Sequence, residues 1–169
     1  DINCGVRLVR SNLTQADVQA RLAALVDELF RRIPAGVGRT GHYRFSAKEL
    51  RELMDRGPRY LADRGLASEA DIEHTEAHGR LDGAAPDRVS PRALSRGADQ
   101  CGTLGSGNHF LEVQVVDSIV DEAVAERFGL FAGQVCVMIH SGSRGLGYQV
   151  CDDALHALRK APEKYGIDL

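Results

Sequence analysis

The alternation of apolar and polar residues predicts three strands. Residues 2–10 are mostly apolar with polar interruptions, which is typical of a short strand. Apolar and polar residues alternate again over residues 108–116 and predict a half-buried strand. The continuous apolar run over residues 134–139 is typical of a strand buried on both faces, and His140 stands at its end.

Helical periodicity accounts for much of the remaining chain. Residues 14–33 carry apolar side chains at helical spacing, and Thr14 with Asp17 forms a capping-box pattern at the start of this segment. A glycine loop is predicted over residues 141–147. Further helices are predicted to begin at Ser46, Ser68 and Ser90, with a short helix or turn over 120–128 and a helix over 148–160.

These elements together predict an α+β fold in which a mixed sheet is flanked by helices. The helical arm covers about residues 46–98 and separates the first two groups of motifs described below. The chain has 169 residues, of which 43% are hydrophobic and 27% charged, and these values suit one domain over 1–169 with a sizeable core.

Charge and cysteine usage limit the possible partners. The net charge of −3 excludes an overall basic footprint, so any RNA contact has to be a local patch. The sequence has no long apolar run and no signal-peptide pattern, which predicts no membrane partner. The 4 cysteines are scattered without a disulfide-like framework. We therefore expect a cytoplasmic, reducing location.

Candidate ligands for a metal stand at the predicted junctions of strands and loops. They are Cys4, His109 and His140, and Asp1 adds an oxygen donor three residues before the cysteine. Such donors suit a divalent transition metal, with zinc as the first choice from residue types, and a thiolate can bridge two ions. Residue types alone equally fit a buried cysteine and two hydrogen-bonded histidines at strand ends.

Three motifs in order resemble those of the RtcB-type RNA ligases. Asp1-Ile2-Asn3-Cys4-Gly5 resembles the D-x-x-C-G motif of that family. The stretch GTLGSGNHFLEVQ over residues 102–114 and the stretch HSGSRG over residues 140–145 resemble two others. Members of this family use GTP to join an RNA 3′-phosphate or 2′,3′-cyclic phosphate to a 5′-hydroxyl. The resemblance implies an RtcB-like fold, present here in part, over the whole chain.

The resemblance also implies the roles of particular residues. Asp1, Cys4 and His109 would bind one Mn²⁺ ion, and Cys4 with His140 would bind a second. Arg144 would contact a nucleotide or RNA phosphate. The residues implied for guanine nucleotide binding are Asn108, His109, Phe110, Leu111 and Glu112.

The same resemblance predicts that the chemistry is incomplete in this chain. The nucleophile of the family is a histidine in a later glycine-rich motif, and His78 is expected to be a surface residue instead. We therefore expect an internal piece of a longer enzyme that is inactive alone. Its implied partners are GTP, RNA in the form of tRNA halves or broken RNA, and an archease-like activator protein.

The sequence also allows two other functions. One is an RNA-binding or scaffolding module without catalysis, which predicts RNA binding insensitive to a chelator. The other is a binuclear metal phosphohydrolase, which predicts phosphoester hydrolysis without GTP.

Overall fold

The computed structural model describes residues 2–168 and confirms the α+β class. Three strands form one sheet, namely β1 (Gly5–Thr14), β2 (Phe110–Val115) and β3 (Gln134–Ser141), with β3 in the middle. Both strand pairs are antiparallel, so the expectation of a mixed sheet is wrong for these strands. Parallel pairing within the described residues is confined to an isolated bridge between Ala35 and Leu104.

The register of the sheet agrees with the alternation in the sequence. On β3, His140 lies opposite both Val6 and Phe110, and Met138 lies opposite Glu112. Opposed residues of an antiparallel pair project to the same face, so these side chains share one face. The start of β3 is buried, with Val135 and Cys136 only 3% and 2% exposed. Its apolar run therefore has the buried position that the sequence predicts.

Helix starts follow their capping residues, whereas some helix interiors differ from the prediction. The boxes at Thr14, Ser46 and Ser68 are formed. The predicted helix over 14–33 is interrupted near Arg21, and the predicted loop over 141–147 is cut short because a helix begins at Arg144. The helices are α1 (Gln15–Gln19), α2 (Leu22–Arg32), α3 (Ala47–Arg56), α4 (Pro58–Ala62), α5 (Glu69–Glu73), α6 (Pro91–Gly97), α7 (Glu122–Phe128), α8 (Arg144–Leu158) and α9 (Ala161–Tyr165), with 3₁₀ turns at Glu76–Gly79 and Pro86–Arg88.

The described chain divides into two compact units. Unit 1 comprises Asp1–Gly41 and Gly102–Ser143, and contains the sheet. Unit 2 comprises His42–Cys101 and Arg144–Leu169, and contains the predicted helical arm. The expectation of one domain stays a prediction. Across residues 2–168, none of the helices has both the length and the apolar composition needed to span a membrane.

Unit 2 has a core of its own. Ser46 and Ser68 accept hydrogen bonds from the backbone N–H groups of Glu49 and Asp71, and these caps fix the first turns of α3 and α5. The helices of this unit enclose a cluster of buried side chains. The cluster consists of Phe45, Leu50, Tyr60 and Leu94.

Candidate metal centre

The predicted convergence of three ligand-type side chains in unit 1 is confirmed. Cys4 precedes β1, His109 precedes β2, and His140 lies near the end of β3, so antiparallel pairing brings all three to one end of the sheet. Cys4 Sγ is 3.3 Å from His109 Nε2 and 3.0 Å from His140 Nε2. All three residues are half-buried. The sulfur atom therefore lies between two imidazole rings.

Aromatic packing fixes the orientation of the His140 ring. The edge-to-face contact with His109 has a centroid distance of 5.7 Å and an interplanar angle of 62°. A second edge-to-face contact joins His140 to Phe110, with centroids 5.2 Å apart and planes at 80°. Because Phe110 and His140 are opposed across the two strands, the sheet register itself produces this contact.

Gly105 makes room for the His109 ring. A Cβ atom on Gly105 would lie 1.7 Å from His109 Nδ1, far inside van der Waals contact. Gly105 is buried and has no positive φ that would by itself require glycine. Glycine is thus needed here to leave space for the His109 ring, and not to allow an unusual backbone conformation. In the sequence this glycine is recognised only as part of the motif over residues 102–114, and the spacing of four residues to His109 is the available signal for its role.

The loop over residues 102–107 is hydrogen-bonded to a second loop of unit 1. Gly36 N donates to the carbonyl oxygens of Leu104 and Gly105 at 3.3 and 3.1 Å. Leu104 N donates to Pro34 O at 2.9 Å. Residues 34–36 therefore fix the backbone at the position where Gly105 faces the imidazole.

The donor set fits part of a transition-metal centre. One thiol sulfur and two imidazole nitrogens are donors that such ions accept. Ligand bonds of about 2.0–2.3 Å place two donors on one ion about 3–3.6 Å apart, and both Cys4–histidine distances agree with this range. Within residues 2–168, no group of three or more His, Cys, Asp and Glu side chains has an arrangement that could hold a metal ion. Asp1 lies outside the described residues. The roles of these residues as ligands stay predictions.

The residues expected to bind nucleotide lie on both faces of β2. Asn108 is exposed at the end of the glycine loop, and Glu112 is exposed and accepts a 2.7 Å hydrogen bond from Gln114 Nε2. Phe110 shares the face of Glu112, by the alternation along the strand. Leu111 faces the other way, into an apolar cavity of about 340 Å³ lined largely by α2. Nucleotide binding by this run stays a prediction.

Arg144 lies in unit 2 as the first residue of α8, not in the interior of a loop. Its φ of 54° is in the left-handed region, which is unusual for a residue with a side chain. It is half-buried, and this burial lowers the pKa of its guanidinium. The next backbone N–H, that of Gly145, donates to Gln100 Oε1 at 2.8 Å. This N–H is therefore already engaged by a side chain of unit 2.

Comparison with known proteins agrees with the motifs. The family described as "tRNA-splicing ligase RtcB" matches residues 1–169. A protein of Archaeoglobus fulgidus with that name is 54% identical over 169 residues, which is 100% of this chain and 35% of the relative. The Thermococcus kodakarensis protein of that name is 51% identical over 167 residues, covering 99% and 35%.

A third relative matches the same part of this chain but is itself a longer protein. The Pyrococcus furiosus protein, also named tRNA-splicing ligase RtcB, is 53% identical over 165 residues, covering 98% of this chain and 17% of its own length. The chain thus spans about a third or less of the length of these relatives. Because the family match covers every residue from 1 to 169, this chain belongs to the RtcB family.

Proposed function

We propose that the protein carrying this chain is a GTP-dependent RNA ligase, and that this chain is its metal- and GTP-binding part. The substrates are an RNA 3′-phosphate or 2′,3′-cyclic phosphate end and a 5′-hydroxyl end. Family membership supports the reaction class. The observation that carries the metal-binding part is the position of Cys4 Sγ between His109 Nε2 and His140 Nε2.

Two Mn²⁺ ions are the proposed cofactors. Asp1, Cys4 and His109 would hold one ion, and Cys4 and His140 would hold the other, which makes Cys4 a ligand common to both. When bound, the metal ions supply charge that stabilises a phosphoryl group under attack. The residues around the ligands hold them in position, since Phe110 packs on the His140 ring and Gly105 leaves the space that His109 occupies.

Polar residues beside this cluster are the proposed nucleotide contacts. Asn108 is exposed and has an amide that can donate to a phosphate oxygen. Glu112 is exposed and can accept hydrogen bonds from the N–H groups of the guanine edge. Gln114 donates to Oε2 of this carboxylate, and a carboxylate can accept further hydrogen bonds at its second oxygen. In unit 2, Arg144 is the proposed contact for an RNA phosphate.

The covalent step needs a histidine outside this chain. In the proposed reaction GMP is carried on that histidine and passes to the RNA 3′-phosphate, after which the 5′-hydroxyl displaces it. The 169 residues alone therefore form no covalent guanylate. The proposed physiological partners are tRNA halves or broken RNA and an archease-like activator, and the proposed location is the cytoplasm.

The test is guanylylation of the full-length protein. Incubation with Mn²⁺ and α-labelled GTP, followed by denaturation, is expected to leave label on the parent protein. Cys4→Ser is expected to abolish this label and the joining of 3′-phosphate to 5′-hydroxyl RNA, because the shared ligand is lost. Cys151→Ser removes an exposed cysteine of unit 2 and is the matched control, with activity unchanged. Full labelling of Cys4→Ser would contradict the proposal, and phosphoester hydrolysis without GTP would replace it with a phosphohydrolase.

A further inference from the structure

A cavity of about 430 Å³ adjoins the Cys4 cluster within unit 1. On one side its wall contains Asn3 and Gly5, the two neighbours of Cys4 along the chain. On the other side its wall contains residues 141–143, which directly follow His140. A ligand in this cavity would therefore lie next to both Cys4 and His140.

Arg7 is the ionisable side chain of this cavity. The other lining residues are Ile2, Asn3, Gly5, Ile139, Ser141, Gly142 and Ser143, none of which carries charge. The Arg7 Nη1 atom is 3.4 Å from the place of a Cβ on Gly5, so the guanidinium turns back along β1 toward Cys4. Among residues 2–168, the lining thus has one positive charge and no carboxylate.

The hydrogen bonding of Arg7 leaves donors for a ligand. Its Nη1 donates to the carbonyl oxygen of Val6 at 2.9 Å, a local contact on the exposed edge strand. No Asp or Glu among residues 2–168 forms an ion pair with it. A guanidinium has five N–H donors in a planar fork that matches phosphate oxygens. An exposed guanidinium without a carboxylate partner beside a cavity favours an anionic ligand.

An arginine-lined cavity within unit 2 lacks this property. That cavity of about 330 Å³ contains Arg56, Arg59 and Arg80. Arg56 is paired with Asp63, Arg59 with Glu69 and Arg80 with Asp82. The charges there are already neutralised, so the arginine count of a cavity does not by itself indicate an anion site.

We propose that Arg7, together with the segment 141–143, binds a phosphate group of the substrates beside Cys4 and His140. This inference rests on the proposed function for the identity of the anion, which is either a phosphate of GTP or the terminal phosphate of the RNA. Both have the same chemistry, a tetrahedral oxyanion that accepts from the guanidinium fork. Arg7 is thereby a substrate-binding residue of the ligation reaction.

The experiment compares Arg7→Ala, Arg7→Gln and Arg7→Lys in the full-length protein by two binding assays. One follows Mn²⁺-dependent binding of fluorescent GTP without RNA. The other follows a labelled RNA ending in 3′-phosphate, by anisotropy without GTP, against the same RNA ending in 3′-hydroxyl. Arg31→Ala is the control, since it removes an exposed arginine of the same unit whose partner is Glu28.

Arg7→Ala is expected to weaken binding of the phosphate-bearing ligand about tenfold or more, the effect of losing charge-assisted hydrogen bonds. The affinity of Arg7→Lys is expected to lie between those of the parent protein and Arg7→Ala, because lysine keeps the charge and loses the planar fork of donors. Arg7→Gln keeps most of the side-chain length without the charge, so its agreement with Arg7→Ala shows that the loss comes from the guanidinium and not from side-chain length. The weakened assay identifies the phosphate as that of GTP or of RNA.

Unchanged affinities for both ligands in Arg7→Ala and Arg7→Gln would overturn the inference. If the parent protein ligates RNA and these variants do so equally at limiting GTP and RNA, this inference fails and the proposed function stands. If the parent forms no guanylate, the proposed function fails. The site is then supported only by an Arg7-dependent preference for 3′-phosphate over 3′-hydroxyl RNA, and the absence of this preference overturns it.

Discussion

Unit 1 and unit 2 differ in where their apolar side chains lie. In unit 2, Leu50 and Leu94 are each 2% exposed and belong to one cluster. In unit 1, apolar side chains of β1 and α2 remain open to solvent, with Val9 at 52% and Phe30 at 84% exposure. The burial that stabilises a fold is therefore concentrated in unit 2.

The candidate chemistry has the opposite distribution. Cys4, His109 and His140 all belong to unit 1, at the end of a three-stranded sheet. From this comparison we expect side chains of unit 1 to matter chiefly for ligand geometry and the buried side chains of unit 2 to matter chiefly for stability. Substitutions in each unit can test this distinction.

The largest expected effect is on the stability of unit 2. Leu50→Ala removes a buried side chain from the core and should cost about 2–5 kcal/mol of unfolding free energy. Phe30→Ala in unit 1 removes a larger but exposed side chain and should change it by less than about 0.5 kcal/mol. Urea unfolding of the two variants checks the pair. Equal losses would show that the two units do not differ in this way.

The next effect concerns the metal centre. Gly105→Ala places a methyl group where His109 Nδ1 lies, so the ring has to move. Manganese affinity should fall about 10–100-fold, as for other changes that misplace a ligand. Isothermal titration with Mn²⁺ measures this loss.

Gly107→Ala is the matched control in the same loop. Gly107 has a φ of 73° and nothing within 4 Å of its missing side chain. Its substitution should cost about 1 kcal/mol of stability through backbone strain and leave the manganese affinity unchanged. If both variants lost metal equally, loop conformation and not space for His109 would be the cause.

Local features were predictable from the sequence because their causes are local. The Ser46 and Ser68 caps depend on residues three positions apart, and β3 follows from its apolar run. The start of α8 at Arg144 was missed, because nearby glycines favour a loop and a non-glycine residue at positive φ is rare. The sequence pattern also gave no sign of the break near Arg21.

Contacts between residues far apart in the chain could not be predicted from spacing alone. Cys4 and His140 are 136 residues apart, and spacing alone could not place them 3.0 Å from each other. Their pairing was predicted by resemblance to a family and arises from the β1–β3 register. The space that Gly105 leaves for His109 could not be predicted either, since it depends on where a side chain four residues later turns.

The smallest effect is on pH dependence, and it concerns the capped helix starts. Hydrogen bonds from the backbone and side chain of Ser46 lower the pKa of Glu49, and those from Ser68 lower the pKa of Asp71. In unit 2 the side chain of Ser90, followed by Gln149, likewise lowers the pKa of Asp153. A carboxyl group whose pKa is lower in the folded state stabilises it above the unfolded pKa, and this contribution is lost as pH falls through the folded value.

Helix starts in unit 2 should therefore loosen below about pH 4, the ordinary range of carboxyl groups. Amide hydrogen exchange at Glu49 and Asp71 should accelerate relative to Val137 in β3 after correction for intrinsic rates. Ser46→Ala should remove the effect at α3 and cost about 1 kcal/mol at neutral pH. Uniform acceleration across both units would show global acid unfolding instead.

The central claim is that the sulfur of Cys4 binds metal together with His109 and His140. Cobalt binding tests it directly, because a thiolate bound to Co²⁺ gives a charge-transfer absorption in the near ultraviolet. The account predicts this band in the full-length protein, its loss in Cys4→Ser, and its retention when Cys101, Cys136 or Cys151 is changed to serine. A band that survives Cys4→Ser, or that disappears in Cys151→Ser alone, would contradict the account.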